Sequence, residues 1–144
     1  MRSRALVKEL WRRHELSIPL DLKRLAACLD LQVVSFPFSG RIKEMIVGRT
    51  IGVQTGLPRP WFRWYAAHAI GHHHLHVGSG LHQVAWQWVS HAKAERQAEE
   101  FAALLLGGPD GRHRTASELA IPPEKLPLIR RTSPAFRGTT PSRR

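Results

Sequence analysis

The chain predicts an α+β fold, a small sheet packed on helices, and three observations carry that expectation. Two amphipathic helical patterns open the sequence, a short β-branched region follows, and two long helical patterns fill the middle. No internal repeat is present. A hydrophobic content of 42% with 23% charged residues is that of an ordinary globular protein, and 144 residues suit one domain with a modest core.

The elements follow in order. Residues 4–14, RALVKELWRRH, place Leu6, Leu10 and Trp11 at helical spacing and predict the first helix. In SIPLDLKRLAACLDL, Pro19 breaks the chain and Asp21 can cap a second helix. Leu22, Leu25, Ala26 and Leu29 form its apolar stripe. LQVVSF (31–36) is short and β-branched, hence a strand; SGRIKEM reads as a turn region, and IVGRTIGVQT (46–55) as one or two further strands. GLPRP (56–60) is a breaker-rich loop that leads into a helix from about Trp61 to Leu75, stopped by the glycines of VGSG. A loop with His82, Trp86 and Trp88 is expected next. A second long helix follows over 90–109, with Ser90 as its cap and Gly107-Gly108-Pro109 as its stop. TASELAIPPEKLPLIRR predicts one or two short helices around Pro122-Pro123, and TSPAFRGTTPSRR a disordered tail.

Lysines and arginines outnumber acids by 22 to 11. Residues 1–60 carry a net +6, residues 61–109 a net of zero and residues 110–144 a net +5, so basic ends flank a neutral middle. Basic ends suit contact with nucleic acid or an acidic partner. No aromatic-basic motif or zinc-finger spacing accompanies them, so solvated surface is the plainer reading and nucleic acid is not favoured. No apolar run approaches the roughly 20 residues of a membrane span, and no signal peptide is evident. The single cysteine, Cys28, excludes an internal disulfide and reads as a small buried hydrophobe. Together these predict a cytoplasmic protein without membrane contact.

Seven of the nine histidines lie between positions 68 and 91. His68 and His72 are four apart. On a helix that separation is about 6 Å along the axis and about 40° around it, so two imidazoles can converge on one ion. His76 is too far along the axis to share that ion, and His73 and His74 point away, as surface residues. A catalytic zinc site takes three protein ligands. Glu95 and Glu99, also four apart on a helix, are candidates for the third ligand and for a hydrogen bond that orients a ligand histidine. A solvated helix face is the plain alternative for both.

RWYAAHAIGHHHLH (63–76) followed by AERQAEEFAALLL (94–106) resembles the ImmA/IrrE metallo-endopeptidases. That family shows Arg-aromatic-x-x-Ala-His-Glu-x-Gly-His-x-x-Leu-His, then Glu-x-x-Ala-(Asn/Asp)-x-Phe-Ala-x-x-Leu-Leu. Arg63, Trp64, Ala67, His68, Gly71, His72, Leu75 and His76 match the first block; Glu95, Ala98, Phe101, Ala102, Leu105 and Leu106 match the second. The upstream IPLDLKRLAACLDLQVVSF and RTIGVQT also resemble the family's lead-in. The resemblance covers roughly 5–109 and implies a gluzincin-like metallopeptidase domain over 1–109; beyond it the residues themselves predict a short helical extension over 110–131 and a disordered basic tail over 132–144. It implies one Zn²⁺ on His68, His72 and Glu95, with Glu99 behind a ligand histidine. It also implies a helix-turn-helix transcriptional regulator as the protein partner. Three departures stand out: Ala69 replaces the motif glutamate, Glu99 replaces Asn/Asp, and the usual Leu-Leu-Met-Pro appears as LLLGGP.

Ala69 bears directly on chemistry. The motif glutamate is the general base of a zinc peptidase, and such a base is worth about 10²–10⁴-fold in rate. Alanine supplies none of it. Glu99, Glu100, His82, His91 and Tyr65 are the candidate substitutes. Two functions follow as expectations: a zinc endopeptidase acting on a transcriptional regulator, or a pseudoprotease that binds zinc and the regulator without efficient cleavage.

Overall fold

The structure, a computed structural model, describes the backbone of residues 2–77 and 80–137 and the side chains of 3–75 and 92–133. It is α+β, as expected. The helices are α1 (Arg2–His14), α2 (Leu22–Cys28), α3 (Arg59–His72), α4 (Gly80–Gly107), α5 (Ala116–Leu119) and α6 (Leu126–Arg137). The strands are β1 (Gln32–Phe36), β2 (Glu44–Val47) and β3 (Thr50–Gln54). Asp21 caps α2 as expected, its carboxylate accepting from the Arg24 amide at 3.0 Å.

The sheet order is β1-β3-β2, with β1 parallel and β2 antiparallel to β3. Its inner face rests on α3. Ile51 and Val53 of β3 are fully buried, and the register sets Glu44 opposite Val53 and Ile46 opposite Ile51. Side chains alternate along a strand, so Glu44 and Ile46 face inward while Met45 and Val47 are exposed. The turn region expected over 39–45 thus ends in a strand that begins at Glu44.

Gln54 fixes the approach to that strand. Its amide nitrogen donates to the carbonyls of Phe38 and Ile42, and its amide oxygen accepts from the Phe38 amide at 3.0 Å. Its own backbone amide donates to the Lys43 carbonyl at 2.8 Å. The loop entering β2 is therefore tied to the end of β3.

Helix α4 is the long axis of the fold and packs against α1, α3 and α6. It begins at Gly80, so the loop expected around 82–88 is helical and Ser90 lies inside the helix instead of capping it. Its end is as expected: Gly108 adopts φ +66°, the left-handed conformation glycine favours after a helix, against the Trp11 ring. The Trp11 indole donates to the Leu105 carbonyl at 3.0 Å.

Residues 110–131 share the core of the preceding elements. Leu119, Ile121 and Ile129 are buried in it. Arg63 of α3 ties this segment down, donating to the carbonyls of Leu20, Leu119 and Ala120. Burial, helped by the charge of Arg59 and only partly opposed by Asp21, lowers the Arg63 pKa to about 10. A capping box between Thr115 and Glu118 starts α5. Helix α6 continues to Arg137, six residues into the expected tail, and 138–144 fall outside the described residues. Cys28 is exposed, contrary to expectation: the buried residues of α2 are Leu22, Leu25 and Ala26, and Cys28 lies off that face.

Among the described residues, no helix is long and apolar enough to cross a membrane.

Candidate metal centre

The site forms where β2, α3 and α4 meet. His68 and His72 lie one turn apart on α3, with ring centroids 4.7 Å apart and planes nearly perpendicular. That is the convergence their spacing predicts. His68 is buried and His72 half-buried.

Three carboxylates surround the pair. Glu95 of α4 places one oxygen 3.0 Å from His68 Nε2 and the other 3.3 Å from His72 Nε2. Glu99, one turn further, stands 3.8 Å from His68 Nε2 and holds the Lys125 ammonium at 3.2 Å. Glu44 of β2 is the residue sequence reasoning missed. Its Oε2 lies 2.6 Å from His68 Nδ1. The expected hydrogen bond behind a ligand histidine is therefore made by Glu44, from the opposite side of the ring.

Glu44, His68 and His72 each have one ligand atom within 4.8 Å of the others, a cluster that could hold a metal ion. Glu95 contacts the Nε2 atoms of both histidines. The two arrangements share the histidine pair and differ in which carboxylate joins it.

The residues suit a divalent cation on two grounds. Glu44 Oε1 is buried with no hydrogen-bond partner among the described residues, which is costly unless a cation or proton satisfies it. Three carboxylates against the Lys125 ammonium also leave a formal excess of two negative charges when both imidazoles are neutral. Nitrogen and oxygen donors of this kind suit first-row divalent ions.

Electrostatics follow from the packing. Burial alone would lower the His68 pKa, but the Glu44 hydrogen bond and the fields of Glu44, Glu95 and Glu99 prevail and raise it. Burial raises Glu44 against the opposing pull of His68. Burial, Glu44 and Glu99 together raise Tyr65, so its phenol stays protonated and does not act as a base.

Ala69 is fully buried. Its position carries no acid or base, and its methyl is enclosed on the inner side of α3. Among the other candidate bases, Glu99 is engaged by Lys125, while the side chains of His82 and His91 lie outside the described residues. Glu100 is half-buried on α4.

His73 and His74 are less exposed than expected. The chain after His72 widens into a π-turn over His73–Val77, with i to i+5 bonding, and both rings are half-buried. His74 packs 6.0 Å from the Phe101 ring. Burial lowers the pKa of both. The His76 side chain lies outside the described residues.

No protein-family model, curated protein or solved structure matches the chain.

Proposed function

We propose that this chain is a cytoplasmic zinc-binding protein of the metallopeptidase type, which engages a protein partner and cleaves it poorly or not at all. The observation that carries this reading is the pairing of Glu95 with both Nε2 atoms of His68 and His72, at 3.0 and 3.3 Å. His68, His72 and Glu95 are the ligands in this reading. Nitrogen and carboxylate donors in a set of three, leaving one position open, are what a catalytic-type zinc site uses. The resemblance of 63–76 and 94–106 to the ImmA/IrrE family supports the same set and suggests a helix-turn-helix transcriptional regulator as the partner.

Each residue then has a task. Glu44 holds His68 by Nδ1, fixing the tautomer that leaves Nε2 free to ligate. Lys125 holds Glu99, keeping that carboxylate from swinging onto His68. Zinc, when bound, supplies Lewis acidity. Ala69 accepts no proton, and this favours binding over cutting.

A slow-peptidase reading rests on Glu99, 3.8 Å from His68 Nε2 and the nearest carboxylate left over for proton transfer. Incubating the zinc-supplied chain with an unfolded protein such as casein separates the two. The binding reading predicts turnover no greater than that of His72→Ala. Zinc-dependent turnover that disappears in both His72→Ala and Glu99→Gln would establish the peptidase instead.

A further inference from the structure

We infer that the groove over α4, between α1 and α6, is a seat for an acidic polypeptide segment, which it presents to the edge of the metal centre. The groove has a volume of about 720 Å³, within the range of ligand-sized sites. Four cations line it from three helices: Arg4 of α1, Lys93 and Arg96 of α4, and Arg131 of α6. Among the described residues none of the four has a carboxylate within ion-pair distance.

The groove also has a direction. Glu95 and Glu99 line it and at the same time face His68, so a segment lying in it passes beside the histidine pair. The inference rests on the metal-centre reading for that placement alone; the binding itself needs only the cations.

The same wall selects the class of ligand. Glu95, Glu99 and Glu100 are interspersed with the cations along α4. A nucleic-acid strand carries a charge at every phosphate and would set some of them against these carboxylates. A peptide can place its own carboxylates on the arginine forks and neutral residues beside the glutamates. Leu128 adds an apolar surface for a side chain of such a segment.

The test is fluorescence anisotropy on the full chain, with three labelled probes of equal length. They are a peptide alternating glutamate with glycine, its lysine counterpart, and a single-stranded DNA. The glutamate peptide is expected to bind and the lysine peptide not. Arg96→Glu with Arg131→Glu should weaken binding about tenfold or more, the scale of losing two favourable charge contacts and gaining two repulsive ones. Lys93→Glu alone should weaken it in the same direction. Lys23→Glu with Arg41→Glu, an equal charge change at exposed sites away from the groove, should leave it intact, which excludes a net-charge effect. Peptide binding by the natural chain should be the same with added zinc and with a chelator; a natural chain that retains no zinc after loading and yet binds the peptide would uphold the groove while removing the metal reading. No binding of the glutamate peptide, equal binding by the groove variants, or tighter groove-dependent binding of the DNA overturns the inference.

Discussion

Helices α3 and α4 meet in two places, and the two contacts follow opposite physics. In one, Gly71 lets the Phe101 ring approach so closely that an added Cβ would fall 3.0 Å from it. Phe101 is fully buried there, as are Ala102 and Leu105 of the same helix. In the other, His68 and His72 meet Glu95 and Glu99, with Glu44 closing from the sheet. The apolar contact stabilises through burial and close packing. The polar contact gathers like charges, one of them largely enclosed, at a cost in desolvation. A helix pair that needed only to fold would have continued the first contact. The metal ion proposed above would account for the second.

The largest predicted effect breaks the apolar contact. Phe101→Ala should lower stability by about 3–5 kcal/mol in chemical denaturation, with or without a chelator present. His72→Ala should do the reverse. The metal-free chain should stay close to its unfolding midpoint, because the half-buried His72 adds little to the core, but zinc should no longer stabilise it. In the natural chain zinc at a hundredfold excess over Kd should add about 2.7 kcal/mol, read as a shift in melting temperature.

A smaller effect separates the two carboxylates that flank His68. Glu95→Gln should abolish measurable zinc retention, whereas Glu44→Gln should weaken zinc by about 10–100-fold, as loss of a ligand's orienting partner does. Competition against a zinc chelator reads both. Equal losses would make Glu44 a ligand in its own right, the alternative its position allows.

The smallest effect is in pH. The His68 pKa stands above its ordinary value of 6.5 in the folded chain. Its contribution to the metal-free fold is complete below pH 6.5 and is lost as pH rises through the raised value. Glu44, also raised, acts in the same direction, since burial favours its protonated form. Denaturation with chelator should therefore show stability falling as pH rises above 6.5. Zinc, which competes with the same proton, should bind more tightly over that interval. Glu44→Gln should flatten both trends.

What the sequence disclosed follows how local each feature is. His68 with His72, and Glu95 with Glu99, are separations of four within single helices, and helix geometry brings each pair to one face. Glu44 was not legible. Strand alternation divides EMIV into two faces, and only the pairing of Glu44 with Val53 decides which one meets α3. The early start of α4 was hidden by Gly80, Trp86 and Trp88, which read as a loop while the backbone from Gly80 onward is helical. The half-burial of His73 and His74 depends on the π-turn, which shifts their angle from that of a regular helix. Cys28 misled because composition says what a residue prefers, not which face of a short helix it occupies. The burial of 110–131 depends on Arg63 reaching three backbone carbonyls distant in sequence, which no local pattern signals.

The central claim is that the polar contact between α3 and α4 exists to hold one divalent ion. Elemental analysis of the chain after zinc loading and desalting tests it most directly. The account predicts about one zinc per natural chain, as expected for a single site with three protein ligands, and none for His72→Ala or Glu95→Gln. No retained zinc in the natural chain, or the same amount in all three proteins, would contradict it.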